Sequence, residues 1–147
     1  MTTTAATSTP RAHLSRRYHL NASHRLHSDA FSTEQNRAVY GKCNNPHGHG
    51  HNYTIEVTLA GPVDATTGMV CDLGALDAFA QTNLLARFDH MNLNTLAAFR
   101  DAVSTTENLT IEVFRIFEQF PGAKLQRVHI QETSNNSFEY TESLQKG

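Results

Sequence analysis

The chain has 147 residues, 39% of them apolar, enough for one domain with a real core. Its 12 Lys and Arg against 14 Asp and Glu leave a net charge of −2, so no global field points to nucleic acid or an anionic membrane. No apolar run approaches membrane-spanning length, and two cysteines, Cys43 and Cys71, are too few for a disulfide framework.

Residues 1–14 read as a disordered tail, Thr/Ala/Ser-rich over the first ten, and residues 15–147 as a single domain. Arg11, Arg16 and Arg17 precede the first acid, Asp29, faintly like a mitochondrial presequence. A strand starting at about Ser15 leaves little to remove, and free thiols fit a reducing compartment, so the expected location is cytoplasmic. From Arg16 the chain alternates: Tyr18, Leu20 and Ala22 share the apolar parity, and His24 is its next member. A second alternating strand carries Tyr53, Ile55, Val57 and Leu59 on one side, and His49 and His51 extend that side toward its start. Gly50 stands between the two histidines and is expected to clear space for them.

If the two strands pair antiparallel, the end of one meets the start of the other, and His24 comes to His49 and His51. One inward histidine is ordinarily a satisfied core or surface residue. Three neutral imidazoles converging on one spot suit zinc, with a position left open for water or substrate. Cys43 lies six residues before His49, either as a reactive thiol or as a fourth ligand closing a structural site.

Farther on the period changes. Gly61-Pro62 ends the second strand, and Asp72 is placed to cap a helix with Leu73, Leu76, Ala80 and Leu84 at helical spacing. Ser104-Thr105-Thr106-Glu107 reads as a capping box opening a second helix with Leu109, Val113, Ile116, Phe117 and Phe120 on one side, stopped by Pro121-Gly122. Val128 and Ile130 then alternate with Glu132 following on their parity, and Ser134-Asn135-Asn136 turns the chain into a strand with Phe138 and Tyr140. The order ββααββ predicts an α+β domain: a four-stranded antiparallel sheet with two helices on one face. Two bare sheet edges are a liability that closure around a symmetry axis removes, which predicts a homo-oligomer.

Ser23-His24-Arg25-Leu26-His27, Cys43 through Tyr53, Asp89-His90 with Met91-Asn92-Leu93, Ser104 through Asn108, and Glu132-Thr133 before Asn135-Asn136 agree in order and spacing with one family. Over about Ser15 to Tyr140 the chain resembles the 6-pyruvoyl-tetrahydropterin synthases. The resemblance implies the tunnelling fold, with sheets closing into a barrel in a homohexamer built as a dimer of trimers. It implies a lyase that converts 7,8-dihydroneopterin triphosphate to 6-pyruvoyl-tetrahydropterin in tetrahydrobiopterin biosynthesis, with loss of triphosphate.

By the same resemblance His24, His49 and His51 hold one zinc ion per subunit, Cys43 is the proton acceptor, and Asp89 and His90 form a carboxylate–imidazole relay. Asp89 and His90 are adjacent, so a turn is needed for both to reach one proton path, and they can serve a neighbour's metal. Glu132 anchors the amino-pyrimidine edge of the pterin with a forked pair of hydrogen bonds; otherwise it is a strand-end acid turned to water. Thr105, Thr106 and Glu107 line the pterin pocket, although Glu107 also completes a capping box. Arg25 and Lys42 are candidates for the triphosphate, which can bring Mg2+ with it, and His27 and His47 stand nearby as helpers. Cys71 matches no motif and reads as a packed side chain. The alternative product within the family is that of the 6-carboxy-tetrahydropterin synthases of queuosine biosynthesis, whose cysteine usually lies closer to the His-x-His pair. The alternative of another class is a non-catalytic zinc- or pterin-binding module.

Overall fold

The structure is a computed structural model and describes residues 9–142. Strand β1 (Arg11–His24) runs antiparallel to β2 (His49–Pro62) over its whole length, Arg11 opposite Pro62 and His24 opposite His49. It starts four residues before the expected Ser15, so part of the expected tail is strand, while residues 1–8 lie outside the described ones. β4 (Lys124–Gln131) pairs antiparallel with β2, and β5 (Ser137–Thr141) with β4. A bulge between Thr58 and Leu59 pairings carries the inward parity from Leu125 to Val128.

The α+β class holds, but the sheet has five strands rather than four. The fifth, β3 (Met91–Asn92), adds parallel to β1 beside Ala22 and Ser23, giving the order β3-β1-β2-β4-β5. Two residues are too short for any alternation to reveal. The link between β1 and β2 also holds an unexpected helix, α1 (Thr33–Tyr40). Ser32 caps it and Gln35 answers in a reciprocal capping box.

Inward parity builds the core as anticipated: Tyr18, Leu20 and Ala22 from β1, Tyr53, Ile55, Val57 and Leu59 from β2, Val128 and Ile130 from β4. Against them pack α2 (Leu73–Ala80), continued by a π-helical turn (Gln81–Leu85) and α3 (Ala86–Phe88), and α4 (Thr106–Phe117). Asp72 caps α2 through the Gly74 N–H. On α4 the cap is Thr105, which accepts from the Asn108 N–H, so the cap expected at Ser104 falls one residue later, and the Asn108 amide donates to the Val103 carbonyl instead of completing a box. The other face of the sheet is polar: Arg17 and Arg127 pair with Glu56, and Ser15 bonds Thr58. Among the described residues no helix is long and apolar enough to cross a membrane.

Candidate active site

The inner face of the sheet ends in imidazoles instead of hydrocarbon. His24 stands directly opposite His49, and Ala22 opposite His51, so the ladder delivers all three rings to one corner. Ring centroids are 4.6 to 5.0 Å apart and the planes stand 71° to 89° to one another. One nitrogen from each ring lies within 4.8 Å of the others, and this trio is the one group of potential ligands gathered so among the described residues.

The arrangement fits a cation. His24 is buried, and its Nδ1–H donates to the Ser104 carbonyl at 2.7 Å, which leaves Nε2 as a lone pair directed at the cluster. That lone pair lies 3.0 Å from Nε2 of His49, close to the roughly 3.3 Å between two nitrogens on one tetrahedral zinc. Nε2 of His51 is buried with no partner among the described residues. Burial lowers the proton affinity of His24 and of His51; His49 and His51 lower that of His24 further, and His49 that of His51. Ring nitrogens brought to one point, with burial disfavouring protonation of His24 and His51, are what a metal requires.

Gly48 sets the entry to β2. It closes an Asn45-Pro46-His47-Gly48 turn by donating to the Asn45 carbonyl, and its φ is +71°. A Cβ there would stand 3.0 Å from the His24 carbonyl oxygen. Gly50, expected to make room between the imidazoles, instead faces outward, with ordinary space toward the Ala22 oxygen at 3.7 Å.

Cys43 lies in a 3-10 turn (Gly41–Asn44), half-buried, and does not join the imidazole trio. The turn is laced to the segment after His24. The Cys43 carbonyl accepts from the Leu26 N–H, the Asn44 amide donates to the Leu26 carbonyl, and the Arg25 guanidinium donates to the Asn44 carbonyl. Burial, and then the Glu132 carboxylate, pushes the Cys43 thiol up.

Glu132 is half-buried just past β4, as its parity required. Its carboxylate accepts a hydrogen bond from the Thr106 hydroxyl and acts electrostatically on His24, His51, Cys43 and Tyr53. An acid, a thiol and three imidazoles thus share one corner.

A family model described as 6-pyruvoyl tetrahydropterin synthase matches residues 13–143. The chain belongs to this family. It is 42% identical over 131 residues to human 6-pyruvoyl tetrahydrobiopterin synthase, covering 88% of this chain and 90% of that one. With the Drosophila melanogaster enzyme of the same name it shares 44% over 135 residues, 89% of this chain and 80% of the other. The solved structure of Caenorhabditis elegans 6-pyruvoyl tetrahydropterin synthase superimposes with a TM-score of 0.86 at 40% identity, covering 90% and 96%.

The remaining family positions fall in three places. Asp89 and His90 sit in a turn, His90 at φ +61°, which lets His90 Nδ1 meet Asp89 Oδ2 at 3.1 Å. The pair is bonded to Asn21 of β1 rather than to any residue of the cluster: Asp89 accepts the Asn21 N–H, and the His90 N–H donates back to the Asn21 carbonyl. The His90 side chain is 75% exposed. Thr106 is buried against Glu132, Thr105 is the helix cap, and Glu107 is exposed on the first turn without the capping role. Arg25 and His27 line an open cleft of about 640 Å3 beside His24, together with His47 and Arg100. Lys42 is exposed and does not line it. Sequence reasoning missed Gly48, Asn44, Arg100 and Tyr53; the Asn-Pro-His-Gly turn was the available signal for the first.

Proposed function

We propose that this chain is a zinc-dependent 6-pyruvoyl-tetrahydropterin synthase, converting 7,8-dihydroneopterin triphosphate to 6-pyruvoyl-tetrahydropterin with release of triphosphate. The observation that carries the reading is the trio of converging imidazoles beside a thiol that stays outside their ligand set. His24, His49 and His51 would hold the ion, which when bound supplies Lewis acidity to the side-chain hydroxyls of the substrate. Cys43 as thiolate takes a carbon-bound proton from that side chain. Positive charge at the imidazole corner opposes the burial and the carboxylate that otherwise keep the thiol protonated. Glu132 accepts the two N–H groups of the amino-pyrimidine edge, with the Thr106 hydroxyl fixing one of its oxygens.

Asp89 orients and charge-stabilises the His90 ring for proton shuttling. Their anchorage on Asn21 and the exposure of His90 favour service to the site of a neighbouring copy. The sheet ends in two short strands, β3 and β5, and we place it in a barrel of such sheets within a homohexamer of two trimers. Arg25, with His27 and His47 near it, faces a cleft suited to the triphosphate and any Mg2+ it brings. Lys42, Thr105 and Glu107 complete the candidate substrate contacts. Free thiols at Cys43 and Cys71 suit the cytoplasm.

The deciding experiment pairs metal analysis with mass spectrometry of the product. Wild type should carry about one zinc per chain and form 6-pyruvoyl-tetrahydropterin. Cys43→Ala should keep the zinc and lose about 10²- to 10⁴-fold in rate. Zinc that leaves with the thiol would refute the open site. Formation of carboxy-tetrahydropterin and acetaldehyde would move the chain to the other branch of the family.

A further inference from the structure

Two buried side-chain atoms among the described residues have no hydrogen-bond partner, and they stand two positions apart on the inner face of β2: Nε2 of His51 and the hydroxyl of Tyr53. The first is explained by a metal. The second is not. Tyr53 is 1% exposed, and an unpaired buried hydroxyl costs about 1–3 kcal/mol, so a phenylalanine would serve the fold better. The ring packs edge-on against His51 at 5.6 Å between centroids, a contact that phenylalanine makes equally well. The oxygen therefore needs a reason of its own.

Its surroundings supply one. The hydroxyl lies beside Thr106, Glu132 and Cys43. The pairing of Thr54 with Gln131 puts Tyr53 across from Glu132 on the same face of the sheet. The Thr106 hydroxyl, which donates to Glu132, is near enough to act on the Tyr53 oxygen as a hydrogen-bonding neighbour, but no bond of good geometry joins the two. A phenol is protonated at neutral pH, so the Tyr53 hydroxyl is an O–H donor. Side by side stand an anionic acceptor for two N–H groups and an uncommitted donor.

We infer that Tyr53 is a substrate-binding residue whose hydroxyl donates a hydrogen bond to the ring carbonyl adjoining the amino-pyrimidine edge held by Glu132. This rests on the pterin reading given above. Around a 2-amino-4-oxopyrimidine ring, the exocyclic amine, the ring N–H and the carbonyl follow one another. Glu132 can take the first two but repels the third. Tyr53 supplies the donor that the carbonyl needs, and the two side chains together read the donor–donor–acceptor order of that edge. A buried donor left unpaired by a ring without the carbonyl makes the contact one of specificity.

The test is Tyr53→Phe in the full-length protein, titrated calorimetrically with 7,8-dihydroneopterin, with and without zinc. The Kd should rise about three- to tenfold in both forms, with zinc content and secondary structure unchanged. KM for the triphosphate substrate should rise with it while kcat holds. In isotope-edited infrared spectra the carbonyl stretch of the bound ring should move to higher frequency in the variant. An equal Kd overturns the inference, and an equal Kd with a lowered Tm assigns the hydroxyl to a buried structural water. If wild type fails to bind 7,8-dihydroneopterin, the pterin reading itself falls and takes this inference with it. Binding by wild type and variant alike removes the inference alone.

Discussion

Gly48→Ala probes the imidazole corner without removing any of its three histidines. At φ +71° an L-residue costs about 1–2 kcal/mol for the left-handed backbone alone. The added Cβ would also meet the His24 carbonyl oxygen at 3.0 Å and its carbonyl carbon at 3.5 Å. Those atoms belong to the last residue of a fourteen-pair ladder, so they cannot swing aside as a flexible side-chain tip would. Overpacking of that kind adds about 1–3 kcal/mol, for a combined loss near 2–5 kcal/mol. Two other glycines separate the contributions. Gly41, at φ +55° and ψ −126°, has nothing within 4 Å of a new Cβ, so Gly41→Ala carries a backbone cost without overpacking, in a region even less open to L-residues than the left-handed one. Gly50 has ordinary space, and Gly50→Ala should stay within about 0.5 kcal/mol of wild type. Urea unfolding of the metal-free proteins measures this series. Chelator competition measures zinc, where a displaced His24 should cost Gly48→Ala at least about tenfold in affinity, or roughly 1.4 kcal/mol. A Gly48→Ala protein as stable as Gly50→Ala, with zinc affinity intact, would refute the argument that His24 and the Gly48 turn are locked together.

Acid should weaken the metal-free protein in a defined direction. His24 and His51 are held below the ordinary histidine range chiefly by burial, so the unfolded chain binds their protons more readily. Their stabilisation is complete above about pH 6.5 and is lost as pH falls through the folded values. Thermal scans of chelated protein should show Tm dropping across that window, and the His24→Ala/His51→Ala pair should flatten the drop; an unchanged slope would contradict it. Asn36→Ala removes a fully buried amide whose oxygen accepts the Ser28 N–H at 2.8 Å and whose nitrogen donates to the Ser28 carbonyl at 2.9 Å. With both groups stranded, the loss should be about 2–4 kcal/mol by urea denaturation, and a change below about 0.5 would show that water replaces the amide freely.

How far the sequence discloses this molecule depends on the range of the interaction. Alternation in β1 and β2 is local, so the inward faces and the meeting of His24 with His49 could be read directly. The cap of α4 could not, because Ser104, Thr105 and Thr106 are three successive hydroxyl residues, each able to cap. Tertiary contacts decide among them: the Ser104 carbonyl is taken by His24 and the Thr106 hydroxyl by Glu132, which leaves Thr105 for the Asn108 N–H. β3 exists because the His90 turn sets two residues alongside β1, and no pattern two residues long announces that. Helix α1 did carry a signal, Ser32 with Gln35, but lacks an apolar stripe and buries only Asn36. The role of Gly48 appears only when the strand end it touches is known.

The same register that fills the core also aims the imidazoles, which ties the chemistry to the stability of the fold. His49, His51, Tyr53, Ile55, Val57 and Leu59 share one parity, and the last three are 0% exposed. A slip of one residue between β1 and β2 would turn the whole set to the polar face. Exposing Ile55, Val57 and Leu59 alone would cost about 5–9 kcal/mol as an upper bound, comparable with the total stability of a domain this size. Hydrocarbon thus holds the register, and the histidines inherit their positions from it. The same parity, continued past Ala22 in β1 and back past Tyr53 in β2, is what brings His24, His51 and His49 together at one end of the pair.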